Sequence, residues 1–319
     1  MQKTTLGTTG LEVTPICFGT WQLGGEWGTY DEDQAIEAIR AGRRLGINFF
    51  DTAQAYGFGV SERILGRALA AELRANRDAI VLSTKGGLRS DGDQVVPDSS
   101  PEWLARGIDE SLNALGVDHI DLYQVHVPDP DTPFEKTARA LEELVHQGKI
   151  RYVGVSNFSV GQIAAFGRTR PVEVVQPVYH LFHRQIEDEL LPYCQEHDIG
   201  VHVYGPLAHG LLTGTLDERT KFADDDWRSV SPTFRGRDYV RNLGVVRELA
   251  EFATERGYDV THLAIAWTLA NPTVDTAIVG TRNANHIGTA VEAADIALTN
   301  EDLAEIDRIM MAAAEVPDP

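Results

Sequence analysis

Short apolar runs recur along the chain, separated by segments whose apolar residues fall at helical spacing. The runs are Val13–Phe18, Ile47–Phe50, Ile80–Ser83, Ile120–Val125, Arg151–Val155, Val172–Val175, Gly200–Val203 and Thr276–Val279. Each is short enough to be a buried strand. Between them stand helix boundaries: Asp31 with Gln34 three residues on, Ser100-Pro101 closed by Gly116, and Thr132-Pro133 closed by Gly148. Ser61 is placed to cap a further helix whose apolar face is Ile64, Leu65, Ala68 and Leu69. Residues 2–13 alternate loosely around Gly7 and Gly10, which predicts a short hairpin ahead of the first run.

Eight strands alternating with amphipathic helices predict parallel pairing and right-handed crossovers, and eight is the number that closes an α/β barrel of the (β/α)8 TIM type. The competing open, doubly wound sheet calls for a G-x-G-x-x-G turn. The nearest match, Gly57-x-Gly59-x-x-Glu62, lacks the third glycine and the acidic residue about 20 positions on. Thr215–Asp238 has no periodicity and reads as a long loop over the barrel mouth, ahead of a helix at Tyr239–Arg256. No change of composition divides the 319 residues, so residues 1–319 are expected to form a single domain.

Charge and cysteine content narrow the classes. The net charge of −20 argues against nucleic acid or an anionic membrane as the main partner. The opening MQKTTLGTTGLEV has no apolar signal core and no run of 18 apolar residues occurs, so a soluble, cytoplasmic protein is expected. Cys17 and Cys194 are too few for a disulfide framework, and Asn157-Phe158-Ser159 is a glycosylation acceptor by chance only.

In a parallel barrel the side chains leaving the C-terminal strand ends converge on one mouth. Here they are Trp21, Asp51, Lys85, His126, Ser156-Asn157, Gln176, Tyr204 and Gly280-Thr281-Arg282, with Tyr56 in the loop after Asp51. Each alone is ordinary packing or a solvated charge. A carboxylate, an ammonium, an imidazole and a phenol at one mouth are a poor recipe for stability, and so indicate a site. Metal chemistry is under-provided: there is no H-E-x-x-H or cysteine pair, and Asp51 with His126 supplies at most two ligands. Neither G-x-S-x-G nor a Walker-type loop is present.

At these residues the chain resembles the aldo-keto reductase superfamily, in particular its long-loop bacterial branch, which is related to stress-response reductases and potassium-channel beta subunits. The resemblance runs through LGTTGLEVTPICFGTW, INFFDTAQAYGFGVSERILGRAL, VLSTKGG, SLNALGVDHIDLYQVHVPDP, LVHQGKIRYVGVSNF, VVQPVYH, YGPLAHGLLTG and AIVGTR. It implies reduction of an aldehyde or ketone with NADPH by a tetrad of Asp51, Tyr56, Lys85 and His126. Tyr56 would donate the proton, Lys85 would lower the phenol pKa, Asp51 would hold Lys85, and His126 would orient the carbonyl oxygen. It also implies a cofactor seat. Thr20 and Trp21 border it, Ser156, Asn157 and Gln176 hold the nicotinamide carboxamide, and Tyr204 stacks on the ring. Gly205, Pro206, Leu207, Gly210, Leu212 and Gly214 wrap the pyrophosphate, while Gly280, Thr281, Arg282 and His286 form an anion site in which Arg282 meets a 2′-phosphate.

Where the family commonly carries Gln or Arg, then Glu, then Asn after that arginine, this chain has His286, Thr289 and Ala290. Trp21, Trp27 and Phe58, with Trp227 and Phe234 from the long loop, are candidates for an aromatic substrate pocket; Arg235 and Arg237 are the alternative, a seat for a carboxylate or phosphate. A small carbonyl compound is the expected partner, and no metal is expected. The alternative function is an NADPH-binding redox sensor of slow turnover, as the channel beta subunits illustrate.

Overall fold

A computed structural model describes residues 1–92 and 94–314, with side chains described to residue 312. Its centre is a closed barrel of eight parallel strands. In chain order these are β3 (Ile16–Gly19), β4 (Phe49–Asp51), β5 (Val81–Gly86), β8 (Ile120–Val125), β9 (Ile150–Ser156), β10 (Val174–Gln176), β11 (Gly200–Tyr204) and β12 (Thr276–Gly280). All eight expected runs are barrel strands, several beginning or ending a few residues later than the apolar stretch. Polar terminal residues such as Asp51, Lys85 and Gln176 still pair with their neighbours.

Period-two alternation sorts each strand into two cores. Cys17, Phe49, Val81, Leu122, Val174 and Ile278 face the barrel interior, and Leu6, Leu11 and Val13 close its lower end. The neighbouring residues Phe18, Phe50, Leu82, Tyr123, Val175 and Val279 face outward onto the helices. The lower closure is the expected hairpin, β1 (Thr4–Thr5) against β2 (Glu12–Val13).

The α-helices are α1 (Glu32–Arg44), α2 (Val60–Ala75), α3 (Pro101–Leu115), α4 (Phe134–His146), α5 (Val160–Gly167), α6 (Leu190–Glu196), α7 (Gly236–Glu255), α8 (Val260–Ala270), α9 (Ala284–Ala293) and α10 (Asn300–Ala314), and a small hairpin pairs β6 (Leu88–Asp91) with β7 (Gln94–Pro97). Asp31 caps α1 by accepting from the Gln34 N–H at 2.9 Å. Ser100 caps α3, and Gly116 ends it in the left-handed conformation at φ 70°.

Ser61 does not cap α2. Gly59 occupies that position at φ 89°, and Ser61 lies fully buried inside the first turn, where its hydroxyl donates to the Thr20 carbonyl at 2.9 Å. That bond ties α2 to the end of β3, directly beside the mouth. The hairpin β6–β7 was not expected, because Leu88–Pro97 is mostly polar and half-exposed and carries no apolar run.

Candidate active site

Strand register brings the polar residues together. Asp51 pairs with Gly19 on one side and Ser83 on the other, Lys85 pairs with Gln124, and Gln176 pairs with Ser156. All lie in the top layer of the barrel. Lys85 Nζ donates to Asp51 Oδ1 at 2.5 Å and to the Thr52 carbonyl at 2.8 Å, and reaches Tyr56 Oη at 3.4 Å. Lys85 is 1% exposed and Asp51 2%, so this is a buried ion pair with hydrogen bonds completing its valences. Asp51 Oδ2 accepts from Ser83 at 2.8 Å, Gln176 at 2.9 Å and Gln124 at 3.4 Å.

The electrostatics follow from that packing. Burial alone would raise the Asp51 pKa, but the Lys85 ammonium and His202 outweigh it and hold the carboxyl well below the usual carboxylate range. Burial would lower the Lys85 pKa, and Asp51 reverses this, so the ammonium stays charged. Tyr56 differs from the expectation of a lowered phenol: burial pushes it up to about 12, and Lys85 offsets only part of that rise. The site at rest therefore holds a protonated phenol against a cation. His126 is neutral, its pKa brought down to about 3 by burial and then by Lys85. Its ring stands edge-on to Tyr56 with centroids 5.7 Å apart, and its buried Nδ1 has no hydrogen-bond partner among the described residues.

Above this group opens a cavity of about 1100 Å3 that runs from Tyr56 and His126 to α9. It is lined by Thr20, Trp21, Trp27, Ser156, Asn157, Gln176, Tyr204, Gly205, Pro206, Leu207, Gly210, Gly280, Thr281, Arg282 and His286 among the residues expected there. Tyr204 donates to Asn157 Oδ1 at 2.9 Å, and Asn157 Nδ2 donates to the His126 carbonyl at 3.2 Å, so the ring and the amide are held at the cavity wall. Backbone turns at Gly205 (φ 73°), His209 (φ 57°) and Gly210 (φ 103°) make the concave, left-handed stretch that can receive an anion. Gly24 has its own steric reason: a Cβ there would stand 3.0 Å from the Tyr56 backbone.

Several expected residues lie elsewhere. Leu212 is fully buried beneath the Gly205–Gly214 segment, and Gly214 ends that turn; neither lines the cavity. Phe58 is 42% exposed on a turn at φ 46° and is not among the residues that line the cavity. Phe234 is buried between Phe222, Trp227 and Tyr239, so it supports the loop from behind. Arg235 donates to the Ser229 carbonyl, and both it and Arg237 line a separate surface cavity with Phe234. Arg282 lines the main cavity while donating to the Gly28 and Thr29 carbonyls at 3.2 and 3.3 Å.

The loop does cover the mouth. Trp227 stacks on Trp21 with centroids 5.7 Å apart, and its backbone N–H donates to the Glu26 carbonyl at 2.9 Å. Arg228 pairs with Asp226 at 2.6 Å and lies over Trp27. Sequence reasoning passed over Leu88 and Val95 of the hairpin β6–β7, and Asp259, Thr261 and Ile265 of the α8 region, all of which line the cavity. It also passed over His202, Ser83 and Gln124, which sit inside strands; their only signal is polarity at an interior position.

These residues meet at the C-terminal mouth of the eight-stranded barrel, beneath one cavity. The model of the aldo/keto reductase family matches residues 15–310, and the chain belongs to that family. An aldo-keto reductase of Bacillus subtilis is 40% identical over 97% of this chain and 94% of its own length. An NADH-specific methylglyoxal reductase of Escherichia coli is 32% identical over 95% and 96%. Among solved structures, a glycerol dehydrogenase from Gluconobacter oxydans superposes with a TM-score of 0.89 at 36% identity, covering 100% of this chain and 97% of its own. Among the described residues, no helix is long and apolar enough to cross a membrane and no three metal-ligating side chains come together.

Proposed function

We infer that this chain, acting as one domain, reduces an aldehyde or ketone to the alcohol with NADPH, and that Tyr56 donates the proton. The observation that carries the reading is the buried chain Asp51–Lys85–Tyr56, 2.5 and 3.4 Å long in its two links, at the floor of a cavity large enough for a dinucleotide. The nicotinamide, when bound, supplies the hydride. The remaining work falls to the protein.

As charge develops on the carbonyl oxygen, a protonated phenol must give up its proton and leave an anion in a dry site. Lys85 stands beside that oxygen as a fixed cation, so the phenolate is stabilised only as it forms. Asp51 keeps Lys85 charged and in place. Neutral His126 offers a hydrogen bond to the same carbonyl oxygen without competing for its proton. Ser156, Asn157, Gln176 and Tyr204 hold the nicotinamide end, and the turns at Gly205–Gly210 receive the pyrophosphate. Arg282, already anchored on the backbone of residues 28–29, is the cation for a 2′-phosphate.

Two measurements test this. NADPH consumption over a panel of aldehydes should exceed background, and a cofactor that co-purifies yet is never oxidised above background would overturn the enzyme reading. Arg282→Ala should raise the NADPH KM by about tenfold or more while leaving the NADH KM nearly unchanged. Equal effects would count against NADPH preference.

A further inference from the structure

His202 lies on β11 at an interior position, in the phase that carries Cys17, Phe49, Leu122 and Val174 on other barrel strands. It is 0% exposed and stacks on Phe49 with centroids 4.5 Å apart. Its Nδ1 pairs with the hydroxyl of Thr276, its register partner on β12. Its Nε2 stands 3.6 Å from Asp51 Oδ2, and among the described residues no hydrogen-bond partner reaches that atom. An imidazole in a sealed barrel with one nitrogen satisfied and the other directed at a carboxylate is costly unless the arrangement serves Asp51.

The geometry points to His202 as a positioning residue for the reaction: it holds its proton on Nε2 and presents that N–H to Asp51, fixing the carboxylate on which Lys85 depends. Two charged groups face the imidazole: Asp51 from β4 and, next to it, Lys85 from β5. The same two charges act on Cys17 from β3 and on Tyr56. The opposite tautomer would turn a nitrogen lone pair toward the carboxylate, a repulsive contact that leaves Nε2 without a donor. The imidazolium would add a second cation beside Lys85, and burial keeps His202 neutral in spite of Asp51. At 3.6 Å the Nε2–H contact is longer than a formed hydrogen bond, yet in a dry interior its dipole still bears on Oδ2.

This inference rests on the Tyr56 reading above, and its test separates the two. Nitrogen-15 NMR of the imidazoles in the wild-type protein should show one histidine as the neutral Nε2–H tautomer throughout pH 6–9, and that signal should vanish in a His202 variant. A charged ring or the Nδ1–H tautomer would overturn the inference whatever the activity. In kinetics, His202→Leu should lower kcat about tenfold with the cofactor KM within about twofold. His202→Gln extends an amide to the place of Nε2 and should recover most of that loss, whereas His202→Asn reaches only as far as Nδ1 and should not. Rescue by Asn in place of Gln would mean that His202 merely satisfies Thr276, and would also overturn it. Loss of turnover in all variants with the correct tautomer intact counts against the positioning role and leaves Tyr56 untouched.

Discussion

At the scale of single residues, the site stores its charge as a pair. Lys85 and Asp51 neutralise one another inside the barrel, and neither has solvent to fall back on. Removing one partner leaves the other as an uncompensated buried ion, which costs about 3–5 kcal/mol. Lys85→Met should therefore lower stability by roughly that amount at pH 7. The sign with pH follows from Asp51: its folded pKa is depressed, so its contribution is present above the unfolded value of about 3.9 and fades as pH falls. In Lys85→Met that depression is gone, so thermal denaturation should show a smaller gap between variant and wild type at pH 4 than at pH 7. A gap that does not change with pH would mean the pair contributes no net charge stabilisation.

At the scale of elements, the segment between β11 and α7 links packing to access. Its later part carries the short turns Trp227–Ser229 and Pro232–Phe234, and is held over the mouth by the Trp21–Trp227 stack, the bond from the Trp227 backbone N–H and the Asp226–Arg228 pair. An aromatic pair of this kind is worth about 0.5–1.5 kcal/mol beyond its buried area, up to roughly tenfold in an equilibrium constant. Trp227→Ala should raise the KM for a carbonyl substrate by about three- to tenfold and speed proteolytic nicking within residues 215–235, with kcat less affected. Unchanged nicking would show that the stack does not hold the loop.

The strands and helices were legible because their signals are local: apolar runs that end on polar residues, Asp31 and Ser100 at helix starts, Gly116 at a helix end. The Ser61 assignment failed because a serine near a helix start is read as a cap, while in the fold its hydroxyl answers Thr20, just past the end of β3. Phe58 and Phe234 look like pocket aromatics in sequence; only the turn at φ 46° and the packing behind Trp227 decide otherwise. The hairpin β6–β7 was missed because a solvated two-stranded ribbon needs no apolar run.

At the scale of the whole molecule, the barrel does two things at once. Its closed sheet satisfies every strand edge and holds the interior rigid, and its lower half, filled by Phe49, Leu122, Val174 and the N-terminal hairpin, is a dry support for the charged upper layer. That layering is why terminal residues of separate strands meet within hydrogen-bond distance, and it is the part of the site most readable from sequence. Interior polar residues within the strands are least readable, since His202, Ser83 and Gln124 acquire meaning only through the register that sets them around Asp51. The net charge of −20 does not enter the proposed chemistry.

The central claim is that the proton comes from Tyr56. Tyr56→Phe removes the hydroxyl without enlarging the site, so single-turnover reduction of a reactive aldehyde should slow by about 100-fold or more while the affinity for NADPH, read by fluorescence quenching, stays within about twofold. Retention of near-wild-type turnover in Tyr56→Phe would contradict the account and move the proton to another donor, with His126 the first to examine.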